Sequence, residues 1–142
     1  MVQKLWVPPN RKTTVCVDSY DNGIFRGRFY GADGEERPFC GLIQFLVLME
    51  DMLEQTGTPQ SYTASRRFSG FLQPCAAFPY PGTIRRGLQA TFELQILFRQ
   101  HTSWQGLILW KEQDREESFR SVLELVLLMD SALRGEKEVE AG

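Results

Sequence analysis

FRGRFY (residues 25–30), followed after a short acidic segment by FCGLIQFLVLMEDML (39–53), decides the fold, because the chain says it twice. The second version is WQGLILW (104–110), then a short acidic segment, then FRSVLELVLLMDSAL (119–133). Gly27 aligns with Gly106, Phe39 with Phe119 and Met49 with Met129, once a single extra residue is allowed in the second acidic segment. An internal repeat is read before any single motif, since missing it miscalls the whole fold.

Working outward, Thr13, Val15 and Val17 alternate with Thr14, Cys16 and Asp18. Phe92, Leu94, Ile96 and Phe98 alternate with Glu93, Gln95, Leu97 and Arg99. A period of two means strands with one buried face. Asp21-Asn22-Gly23 reads as a three-residue hairpin loop with Gly23 left-handed. Parity supports that reading. It sets Val15 opposite Phe29 and Val17 opposite Gly27, whereas a two-residue turn would mix Val15 with Tyr30 and Val17 with Arg28. Gln100-His101-Thr102 stands at the matching turn. A third strand is expected before each hairpin, at residues 4–7 (KLWV) and 62–68 (YTASRRF).

Helices follow the hairpins. Leu42, Phe45, Leu46, Met49, Met52 and Leu53 fall at helical spacing, as do Val122, Leu125, Val126, Met129 and Leu133. Gly41-x-x-Gln44 and Ser121-x-x-Glu124 have the spacing of N-caps and capping boxes. Gly57 and Gly135 are placed to end the helices. Ile43, Val47, Leu48, Leu123, Leu127 and Leu128 lie off the main stripes, so each helix is expected to be covered on more than one side. The fold expected is α+β: two tandem βββα (or ββα) repeats with pseudo-twofold symmetry, and an antiparallel sheet with helices packed on one face. It forms a single domain over 1–142, with repeat one about 1–57 and repeat two about 60–135. A long Pro/Gly loop spans 69–87 and a frayed tail 136–142.

Composition narrows function. The 142 residues carry a net charge of −2, which gives no overall pull toward nucleic acid or anionic lipid. The first ten residues lack the pattern of a signal peptide. No apolar run approaches a membrane span, so no membrane partner is expected. Cys16, Cys40 and Cys75 are odd in number and widely spaced, which reads as free thiols in a cytoplasmic protein. One histidine, His101, leaves little from which to build a nucleophile–base pair, and no C-x-x-C pair offers zinc ligands. No enzyme activity, metal or cofactor is expected. Gly27 and Gly106 read as sites where a bulky neighbour packs over the glycine.

Two surfaces compete as binding sites. On the sheet face away from the helices, the first copy carries Cys16, Asp18, Arg26, Arg28 and Tyr30 where the second carries Gln95, Leu97, Gln105, Leu107 and Leu109. Leu97, Leu107 and Leu109 would form an apolar patch for a protein partner or a homodimer, or for the long loop to cover. Alternatively Arg26, Arg28, Tyr30, Arg66, Arg67, Arg85 and Arg86 would contact single-stranded nucleic acid by stacking and phosphate binding.

SFRSVLELVLLMDSAL (118–133), with FRQHTSWQG (98–106) before it, resembles short proteins of gut Firmicutes, often carried in mobile elements. That resemblance implies no particular activity. The strand–strand–strand–helix plan is also loosely similar to the Whirly and PUR nucleic-acid-binding folds, which carry four strands per repeat. The function expected is therefore a non-enzymatic interaction protein, accessory or inhibitory, of a bacterial mobile element. Single-stranded nucleic-acid binding is the alternative.

Overall fold

The computed structural model describes residues 12–31, 34–56 and 87–141, with side chains as far as Arg134. These residues form an α+β structure. In chain order the elements are β1 (Lys12–Asp21), β2 (Ile24–Tyr30), β3 (Glu36–Cys40), α1 (Leu42–Thr56), β4 (Ala90–Phe98), β5 (Gln105–Trp110), β6 (Arg115–Phe119) and α2 (Val122–Ala141). The six strands make one antiparallel sheet in the order β3-β2-β1-β4-β5-β6. The strands expected at 4–7 and 62–68 lie outside the described residues, as does 69–86 of the expected loop.

The third strand described in each half follows its hairpin. β3 and β6 occupy the segments whose acidic residues read as turns. Among the described residues they are the two ends of the sheet, and β6 buries only Phe119 while Arg115, Glu116, Glu117 and Ser118 stay exposed. Edge strands carry charge for this reason, so alternation is faint in them.

The register Val15↔Phe29 and Val17↔Gly27 agrees with the parity argument, but the turn does not. Asn22 and Gly23 have φ of 56° and 76°, and Asp21 sits directly opposite Ile24. This is a two-residue turn with both residues left-handed, as in type I′ hairpins. The extra residue that parity requires is Asp18, in a bulge between Val17 and Ser19. In β4–β5, His101 and Thr102 have φ of 56° and 54°, and the extra residue is Leu97, between Ile96 and Phe98. The bulges also explain Gly27 and Gly106. A Cβ at Gly27 would lie 2.0 Å from the Cys16 carbonyl oxygen, and one at Gly106 1.9 Å from that of Gln95. A backbone carbonyl of the neighbouring strand, not a bulky side chain, excludes every other residue there.

One core joins both halves. Val15, Val17, Phe29, Phe39, Phe92, Leu94, Ile108 and Phe119 from the sheet pack with Phe45, Met49, Leu125 and Met129 from the helices. Phe45 meets Phe25, Phe29 and Phe39 edge-on, with ring centroids 5.3, 5.7 and 5.0 Å away. Both helices start alike: the Cys40 N–H donates to Gln44 Oε1 at 2.6 Å and the Arg120 N–H to Glu124 Oε1 at 2.8 Å. The Ser121 hydroxyl caps the Glu124 N–H at 3.2 Å. Gly135 does not end α2, which runs on to Ala141 and through the tail expected to fray. Glycine within a helix costs about 1 kcal/mol against alanine but leaves the hydrogen-bond ladder intact. Ile43, Leu123 and Leu127 face solvent instead of a second covering layer.

Each helix reaches the hairpin of the other half. Glu50 of α1 accepts hydrogen bonds from Trp104 Nε1 at 2.9 Å and Arg99 at 2.7 Å, and Glu54 also binds Arg99. Asp130 of α2 accepts one from the Tyr20 hydroxyl, which holds its carboxyl below the usual range. Among the described residues, no helix is long and apolar enough to cross a membrane.

Candidate functional site

Leu107 and Leu109 stand two apart on β5 and so share a sheet face; Leu97 is the bulge residue of β4, following Ile96, which faces Gly106. The register sets Gln95 against Leu107, and Gln105 faces Phe98 because the bulge removes Leu97 from the ladder. All three leucines are half-buried. Leu107 and Leu109, with Lys12, Glu93 and Glu116, border a shallow recess of about 30 Å³. Glu93 forms its rim and pairs with Lys111 at 3.3 Å and Lys12 at 3.9 Å.

The matching positions in the first half are Asp18, Arg28 and Tyr30, and all are buried. Arg28 Nη1 donates to Asp18 Oδ2 at 2.6 Å, and Arg28 Nε to the Tyr30 hydroxyl at 3.1 Å. The Tyr30 hydroxyl donates to Glu36 Oε1 at 2.7 Å, and the Leu88 N–H to Asp18 Oδ1 at 3.1 Å. Burial works against the Arg28 charge, but the bonds to Tyr30 and Asp18 outweigh it and hold the pKa above its ordinary value. Burial, then the bond to Glu36, raises that of Tyr30. Cys16 lies under this network, fully buried, and burial pushes its thiol up to about 11.

This corrects the expectation of an outward polar face in the first half. Arg28 and Tyr30 spend their polar atoms on Asp18 and Glu36, which leaves them poorly placed to meet phosphate. Arg26 is half-buried beside them. Arg66, Arg67, Arg85 and Arg86 lie outside the described residues. The network had a signal in the sequence, since Asp18 and Arg28 are opposite charges on adjoining strands of a short hairpin. Nothing in the alternation pattern marked that face as buried.

His101 sits in an exposed hairpin turn, set by a left-handed backbone and not by any catalytic neighbour. Cys16 is a free thiol but Cys40 is disulfide-bonded, which corrects the expectation of free thiols throughout. Widely spaced cysteines say little about which are brought together by the fold. Among the described residues, no three His, Cys, Asp or Glu side chains gather as metal ligands. Comparison with protein-family models, curated proteins and solved structures finds no match. The functional reading therefore rests on the geometry of the sheet.

Proposed function

We propose that the chain is a tandem βββα repeat and acts as a non-enzymatic interaction module, binding another protein through Leu97, Leu107 and Leu109. Its pseudo-twofold axis passes between β1 and β4, with both helices on one sheet face. Several observations support the repeat. Aligning Gly27 with Gly106 carries Thr13 onto Phe92, Thr14 onto Glu93 and Val15 onto Leu94. The β1–β4 ladder pairs Thr13 with Leu94, Val15 with Phe92, and Thr14 with its own counterpart Glu93. The bulges at Asp18 and Leu97 coincide under the same alignment.

One observation carries the functional reading: three leucines that keep part of their surface exposed occupy positions whose counterparts are polar and buried. Covering the part of each that remains exposed would contribute a fraction of the ~1.5–3 kcal/mol that taking a leucine from full exposure to full burial is worth. The matching role is that of an accessory or inhibitory protein of a mobile element. The test is Leu107→Asp, with partner capture from nuclease-treated host extract and light scattering for the dimer. The variant should stay folded and lose its partner, or its dimer. Unfolding of the monomer, or no change at all, would count against the reading. Oligonucleotide binding that falls steeply with salt would favour the nucleic-acid alternative instead, though the commitment of Arg28 to Asp18 weighs against it.

A further inference from the structure

The two ends of the sheet differ in a way the repeat does not require. At the β3 end, the Gly41 N–H bonds the Phe25 carbonyl. Antiparallel pairing alternates, so the main-chain groups of Glu36, Pro38 and Cys40 point away from β2. At the β6 end the register is the same, Phe119 lying against Gly106 as Phe39 lies against Gly27. Glu116, Ser118 and Arg120 therefore turn their main-chain groups away from β5. The Arg120 N–H is taken by Glu124, which fits that direction. At the position of Ser118, β3 carries Pro38, a residue with no N–H to offer.

Beside β6 lies a groove of about 590 Å³ lined by Ser118, Arg120, Glu124, Leu127 and Leu128. Leu127 is 56 % exposed and Leu123, one turn earlier on α2, is 66 % exposed. An edge strand beside an apolar helix flank is the arrangement that takes up an extended peptide as an added strand. We propose that β6 and α2 bind an extended peptide segment of another protein, added to the sheet edge beyond β6. Its main chain pairs with Glu116 and Ser118. An apolar side chain on the helix side rests on Leu127 and Leu128. On the other side a basic side chain stands opposite the exposed Glu116, since opposite charges across a ladder attract. Side chains on opposite faces of a strand are an odd number of residues apart, which gives the peptide its pattern.

The probe is a phage-displayed library of random twelve-residue peptides panned on the intact protein. Enriched peptides should carry an apolar residue and a Lys or Arg an odd number of positions apart. A synthetic copy should bind Ser118→Pro and Leu127→Asp at least tenfold more weakly than the original protein. Ser118→Ala, which keeps the N–H, should bind as before. Pro38 shows that the fold accepts proline here, and Leu127→Asp carries the test should Ser118→Pro fail to fold. No enrichment, or binding indifferent to both variants, would overturn the proposal. So would binding that survives Ser118→Pro but not Leu97→Asp, which places the peptide on the sheet face. Edge-to-edge dimers abolished by Ser118→Pro would show that a second copy, and not a foreign peptide, takes the edge.

Discussion

The molecule contains its own replacement for the buried Asp18–Arg28 pair, namely Leu97 and Leu107 at the matching positions. That makes a double-mutant cycle informative. Arg28→Leu leaves the Asp18 carboxylate, whose side chain is fully buried, without its cation. Breaking a buried pair in this way costs about 3–5 kcal/mol. Asp18→Leu removes one partner of the guanidinium, which keeps the Tyr30 hydroxyl as acceptor and Glu36 at 3.6 Å, so its loss belongs at the lower end of that range. The double variant removes both charges. Apolar replacement of a buried pair is often neutral or stabilising. What remains is two lost bonds of about 1 kcal/mol each, from the Leu88 N–H to Asp18 and from Arg28 Nε to the Tyr30 hydroxyl, together with the ion pair to the exposed Glu36. The double variant should therefore lie within about 2 kcal/mol of the original, so its loss falls short of the two single losses added together by about 4 kcal/mol or more, above the ~0.5–3 kcal/mol usual for residues in contact. Urea denaturation followed by tryptophan fluorescence measures all four corners. A double variant as unstable as the two single losses added together would refute the claim that apolar packing can stand in for the pair.

Gly106→Ala should destabilise by about 3 kcal/mol, the upper end of overpacking costs, because its methyl would meet the Gln95 carbonyl. Thermal melts comparing it with Gly23→Ala, where nothing lies within 4 Å but φ is positive, separate steric collision from backbone strain. Met49→Ala and Met129→Ala should each cost about 2–5 kcal/mol in chemical denaturation, since both side chains sit in the core. Losses near 0.5 kcal/mol would place them on the surface. Cys16 should resist a thiol reagent at pH 8, where a pKa of about 11 leaves roughly one thiolate in a thousand, and should react once urea opens the sheet. Fast labelling of the native protein would mean that this face is open.

Both helices and the pairing of Val15 with Phe29 were legible because burial imposes a period on apolar residues. The edge strands were not, because Glu36 and Glu116 face water and carry the same composition as turns. Parity at Val17 and Gly27 revealed an extra residue but could not place it. A bulge at Asp18 and a longer turn at Asn22 give the same count, and only backbone geometry tells them apart. The contrast of Leu97, Leu107 and Leu109 with Asp18, Arg28 and Tyr30 was visible in the sequence. The burial of Asp18, Arg28 and Tyr30 was not, since alternation marks which residues share a face and not whether that face is wet. That Ser118 and Pro38 occupy corresponding places on β6 and β3 became readable only once those strands were known.

The β1–β4 seam bears on how such a chain assembles. Its middle rung sets Thr14 against Glu93, and the ties from Glu50 to Arg99 and from Asp130 to Tyr20 cross it in opposite directions. Under the proposed repeat, these are one set of contacts made twice. An interface that reads the same from both sides is the kind that closes a twofold dimer and adds no further copies. Covalent linkage of the two halves then acts as a tether that raises their effective concentration. A single βββα unit of this kind would carry everything needed to close against its own twin. The freedom that linkage brings is asymmetry: one half can keep a buried ion pair while the other presents leucines, which two identical subunits could never do.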